Sequence, residues 1–154
     1  MQSKPSYPQS LGHLVTLFIV AVPLNYAWEI AQGFLYTGMN YEKKIWWHCF
    51  VASLGDGLLV CIIYLVGVVA FRRSDWFVVS NAGRYVVILA TGLTIGVALE
   101  WAAVHLLHRW SYTDEMPLVL GIGLIPVLQM LLLPPVIFAI VARWCSRRVA
   151  ASHD

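Results

Sequence analysis

Three carboxylates stand inside long apolar stretches of this 154-residue chain: Glu29, Asp56 and Glu100. A carboxylate at membrane depth costs about 2.5–3.5 kcal/mol on insertion scales unless something receives it. Around the first, the run Asn25-Tyr26-Ala27-Trp28-Glu29-Ile30-Ala31-Gln32 can be set on a helix. Asn25, Glu29, Gln32 and Tyr36 then fall at i, i+4, i+7 and i+11, which is one helix face. Asp56 sits between Gly55 and Gly57, which let a backbone or ligand come close, and it shares a face with Cys49 and Ser53. Glu100 continues the stripe of Gly92 and Gly96, whose spacing marks a tight helix–helix contact. Brought together in a low dielectric, three such acids would not all be ionised. A protonated acid beside an ionised one is an acid–base pair.

The elements that must position these acids are helices of a membrane protein. The chain is 60% hydrophobic and only 12% charged, about half the charge of an ordinary soluble domain. Four apolar runs are long enough to span a bilayer: about 11–36, 47–71, 85–107 and 117–144. The fold expected is a single all-α domain, a four-transmembrane-helix bundle. The polar N-terminus lacks a small-residue cleavage site after the first run, which is therefore read as a retained span. Loop charges set the orientation. Lys4, Arg72, Arg73, Arg84, Arg143, Arg147 and Arg148 share one side and Lys43, Lys44 and Arg109 the other, seven against three. Both termini are expected in the cytoplasm, and a bacterial inner membrane is the expected location. The net charge of +2 follows from this bias and calls for no nucleic acid.

Depth is the most specific reading. At about 1.5 Å per residue, Glu29, Asp56 and Glu100 lie roughly 10, 13 and 9 Å in from the same, outer end. Gln129 is expected below them, near the midplane, and no charge is expected in the inner half of the bundle. Pro23 frees a carbonyl near Ile19 in the first span. The fourth, with Pro117, Pro126, Pro134 and Pro135, is not expected to run as a smooth rod. An internal repeat offset by 71 residues would align Glu29 and Tyr41 with Glu100 and Tyr112.

The candidate site is then Glu29, Asp56 and Glu100 as acids and bases, with Asn25, Tyr26, Trp28, Gln32, Ser53, Trp101 and Gln129 around the substrate. Aromatic faces at Tyr26, Trp28, Trp101 and Trp110 would stabilise a cation. Such a site suits an apolar lipid or isoprenoid entering laterally. A neutral acid would protonate an alkene or epoxide, and a second carboxylate would remove a proton. The run Asn25-x-x-Trp28-Glu29, with Asp56 one hairpin later, resembles the small membrane-embedded terpene cyclases. That resemblance implies an isomerase or cyclase with Glu29 and Asp56 as its acids.

Other readings use the same residues. The acids could bind cations or relay protons in a transport module. They could instead pair with polar neighbours to lock helices in a structural or accessory subunit of a larger membrane complex or homo-oligomer. His105 and His108, with His48, have spacing that permits a metal, but histidines at a wet helix end are more often hydrogen-bonded surface residues, and no metal is assigned. The sequence requires no cofactor. Cys49, Cys61 and Cys145 form no CxxC and are read as packing residues. No phosphate-binding loop, nucleotide signature or nucleophile motif is present.

Overall fold

In the computed structural model, residues 7–39, 45–79 and 81–151 are described, with side chains over 10–39, 45–79 and 81–147. Lys4, Tyr41, Glu42, Lys43 and Lys44, and the Arg148 side chain, lie outside them. The Tyr41 half of the proposed repeat and part of the loop-charge comparison fall there too.

Four long helices dominate the described residues. Helix α1 (Tyr7–Gln32) ends in a 3-10 turn (Gly33–Leu35), α2 covers Ile45–Phe71, and α3 (Ala82–Trp101) loosens into a π-type turn (Ala102–Leu106). A small hairpin, β1 (Leu118–Val119) with β2 (Ile122–Gly123), leads into α4 (Leu124–Ala151). Segments of 24–27 residues in these helices are long and apolar enough to cross a membrane. Each helix packs on its sequence neighbours and α1 closes the ring against α4, while α2 and α3 share the lighter of these contacts.

The fourth helix starts seven residues later than its apolar run. Pro117–Gly123 is apolar, but Leu120 and Gly121 both have positive φ, 52° and 79°. Those are the dihedral signs of a two-residue hairpin turn, and the chain reverses there. The shift raises Gln129 from the expected midplane to the sixth residue of α4, level with the acids. Pro134 and Pro135 lie inside α4 without ending it, and Pro23 lies inside α1.

The two ends of the bundle differ. Toward the C-terminal ends of α2 and α4, Leu17, Val60, Ile63, Tyr64, Ile137, Phe138 and Val141 form an apolar core. The α2–α3 loop folds back into it. Trp76 is fully buried and donates its indole N–H to the Tyr64 carbonyl (3.1 Å), and Tyr64 in turn donates its hydroxyl to the Ser74 carbonyl (2.9 Å). Gly67 makes room for the Trp76 ring, which a Cβ there would strike. Asp75 is held by Arg73 in a two-bond pair, which keeps its carboxyl below the usual carboxylate range. One expectation fails at this end: Arg84 is buried, only 9% exposed. The third residue of α3 is drawn inward against α4 instead of standing in the loop. Among the described residues, the fully buried side-chain nitrogens and oxygens of the other half all have hydrogen-bond partners.

Candidate functional site: three carboxyls on one cavity

Gln129 of α4 is the junction of the polar half. It is 2% exposed. Its amide nitrogen donates to Asn25 Oδ1 and to Asp56 Oδ2, both at 2.9 Å, and its oxygen accepts from Gln32 Nε2 at 3.0 Å. Every hydrogen-bonding atom of that side chain is used, which is what a buried amide requires. Gln32 also donates to Glu29 Oε1 at 2.8 Å and accepts from Trp28 Nε1 at 3.3 Å. Asn25, fully buried, donates back to the Ala21 carbonyl at 2.9 Å. The helical stripe read from the sequence thus meets one glutamine, and α1, α2 and α4 are tied through it. Glu29 and Asp56 come within hydrogen-bonding reach of each other.

Glu100 is held separately. Its Oε1 accepts the Tyr112 hydroxyl at 2.5 Å and the Trp110 indole N–H at 3.2 Å. The Tyr112 oxygen is fixed in turn by the Gly123 amide at 2.8 Å. Tyr112 and Trp110 reach back because the two loops at this end pair. Thr37 N–H donates to the Ser111 carbonyl and Thr113 N–H to the Leu35 carbonyl, each at 2.9 Å. Tyr36 and Tyr112 stand opposite one another across that bridge, with ring centres 5.8 Å apart. Glycines set the frame: a Cβ on Gly92 would run into the Met130 carbonyl, and one on Gly96 would crowd the Met130 side chain. The tight α3–α4 contact is what brings Glu100 inward, where it is 5% exposed.

All three carboxyls line one cavity of about 370 Å³. Its other walls are mixed. Gln32 and Gln129 supply amides, Tyr36 and Trp110 aromatic faces, and Leu59, Leu99, Pro126 and Met130 apolar surface. On one flank Ala52, Gly55 and Leu99 are exposed, and no atom would meet a Cβ on Gly55, so that wall is thin between α2 and α3. Burial, and then the negative charge of Glu100 and Glu29, hold the Tyr36 phenol above its ordinary range. Burial and its bond to Glu100 do the same for Tyr112. Both stay neutral hydroxyl donors at any physiological pH.

The expected site residues separate into three groups. Glu29, Asp56, Glu100, Gln32 and Gln129 reach the cavity. Asn25 and Trp28 act one step back, on Gln129 and Gln32. Tyr26, Ser53 and Trp101 lie away from it. Tyr26 packs edge-on to Phe50, Ser53 donates to the Phe50 carbonyl at 2.7 Å, and Trp101 is 48% exposed beside His105. Trp101 follows Glu100 directly and so leaves the helix about 100° round from it, away from the cavity. His48 and His108 border a different, open recess, and among the described residues no three His, Cys, Asp or Glu side chains are placed to hold a metal. All three cysteines are free thiols. Tyr112 is the contributor that sequence reasoning missed. Its place depends on loop pairing, whereas Tyr36 was already on the Asn25 stripe.

No family model, curated protein sequence or solved structure matches the chain.

Proposed function

We propose that the chain is an integral membrane protein, with both termini in the cytoplasm of a bacterial inner membrane, whose cavity carries out acid–base chemistry on an apolar lipid or isoprenoid. The observation that carries this reading is the meeting of three carboxyls from three helices on one cavity of mixed polar and apolar walls that is thin between α2 and α3. Carboxylates used only to glue helices need no empty space between them.

Glu29 and Asp56, facing each other, form the acid–base pair; two carboxyls in contact are stable only with a proton between them. That proton passes to a substrate carbon–carbon double bond, whose π electrons form the new C–H bond. The resulting carbocation lies against Trp110 and Tyr36, whose ring faces stabilise positive charge. Loss of a proton from a neighbouring carbon to a carboxylate restores an alkene, shifted or cyclised. The sum is an isomerisation balanced by protons alone, and it draws on no cofactor. Glu100, held by Tyr112 and Trp110, supplies fixed negative charge near the cation.

A second reading has its own support. The Gln129 network joins α1, α2 and α4, as a structural or complex-forming subunit would need. Glu29→Gln and Asp56→Asn separate the two, because both keep shape and hydrogen bonding. The enzyme reading expects cells carrying either variant to lose a product from their total lipid extract, seen by untargeted mass spectrometry, while the purified variant melts within a few degrees of wild type. An unchanged extract with a large fall in melting temperature would make the acids structural.

A further inference from the structure

At the opposite end of the bundle a second cavity, of about 420 Å³, lies between the start of α3 and the last turns of α4. Three arginines stand in its wall: Arg84, Arg143 and Arg147. Arg143 and Arg147 are exposed and can reach water. Arg84 cannot. It is 9% exposed, and its Nε and Nη1 are fully buried with no acceptor among the described residues. They are the only fully buried side-chain nitrogens or oxygens so placed among those residues.

The surroundings make the missing acceptor more conspicuous. Arg84 lies in the first turn of α3, at the positive end of the helix dipole. The Asn81 side chain caps its backbone N–H at 3.0 Å and leaves the guanidinium unaided. Asp75 is the one acid among the described residues at this end, and both its oxygens are taken by Arg73, at 3.0 and 2.9 Å. Asp75 acts on Arg84 only through its charge, without a hydrogen bond, so burial of the guanidinium is incompletely offset. Apart from Tyr85 and Ser146 the remaining wall is apolar, and Phe77, Ile88 and Phe138 in it also belong to the apolar core. One buried arginine, two exposed arginines and a largely apolar wall match a phosphate ester that carries a hydrocarbon chain. Guanidinium groups are suited to phosphate because their planar donors pair with its oxygens.

We propose that this cavity binds the phosphate of an anionic glycerophospholipid, with Arg84 as the buried anchor and Arg143 and Arg147 closing over the headgroup. The proposal is independent of the carboxyl site. Native mass spectrometry of the full chain in mild detergent tests it, with dioctanoyl phosphatidylglycerol, dioctanoylglycerol and inorganic phosphate as probes. Wild type should retain one phosphatidylglycerol and no dioctanoylglycerol. Arg84→Met should weaken that binding about tenfold or more, the size of a lost charged hydrogen bond. It should not lower the melting temperature of the lipid-free protein, since it removes an unpaired buried charge. Should that variant fail to fold, Arg143→Gln/Arg147→Gln, altered only at exposed positions, carries the same expectation. Inorganic phosphate displacing the lipid at comparable concentration would overturn the lipid assignment and make a soluble anion the ligand. Equal lipid occupancy in wild type and variants, or equal binding of dioctanoylglycerol, would overturn the proposal.

Discussion

At the scale of single residues, Gln129 and Tyr112 decide more than the acids they hold. Gln129→Leu leaves Asn25 Oδ1, Asp56 Oδ2 and Gln32 Nε2 short of partners in a buried place. At about 1–3 kcal/mol for each stranded group, it should be the most destabilising single change in the site, and thermal unfolding in detergent measures it. Tyr112→Phe strips one bond from Glu100 and strands the Gly123 amide, and should cost about 1–3 kcal/mol. The tyrosines also carry a pH expectation. Their folded-state phenols ionise above the ordinary value of about 10, so stability is intact below that pH and is lost as pH rises past it, where only the unfolded phenols ionise. Absorbance at the phenolate band should show Tyr36 and Tyr112 resisting titration until the protein unfolds. A normal titration of all tyrosines in folded protein would contradict their burial. The sequence makes the Asn25–Glu29–Gln32–Tyr36 stripe legible because helical periodicity is local. It does not reveal Tyr112 on Glu100, which needs two loops to pair, nor the outward turn of Trp101. Asn25 and Trp28, which carry the cyclase resemblance with Glu29, serve here by holding Gln129 and Gln32.

At the scale of elements, glycines divide into those that permit packing and one that leaves space. Gly92→Ala forces α3 away from the Met130 backbone, and overpacking of this kind costs about 1–3 kcal/mol. Gly55→Ala meets nothing and should raise stability by about 0.5–1 kcal/mol, the helix-interior cost of glycine. The small-xxx-small spacing is enough to read the first from sequence. The flanking of Asp56 by glycines conceals two jobs, for Gly57 packs against Phe18 and Val22 while Gly55 borders the cavity. The β1–β2 turn places Leu120 at φ 52° and 95% exposed. A leucine is strained there and gains nothing by burial, so Leu120→Asn should raise stability by about 1 kcal/mol. Hydropathy alone cannot see that turn, because Pro117–Gly123 is as apolar as the helix it precedes. The late start of α4 follows from it, and with it the height of Gln129.

At the scale of the whole molecule, one half is packed around Trp76 and the other is built around a cavity. Composition makes four apolar helices legible, since charge is too scarce for a soluble domain. Composition does not disclose Arg84, because counting basic residues by loop treats every arginine as solvated. The proposed topology puts both termini in the cytoplasm, so reporter fusions at either end should report that side; both reporting the outer side would reverse the assignment of the arginine end, and a split result would refute the four-span topology. The central claim is that the three carboxyls enclose a place for an apolar molecule. The most direct measurement is mass spectrometry of the small molecules that co-purify with wild type and with Glu29→Gln in mild detergent. The account expects a specific apolar compound in both, chemically altered between the two, as substrate trapped in the variant against product in wild type. Bulk phospholipid alone in both preparations would contradict it and leave the acids as ties between helices.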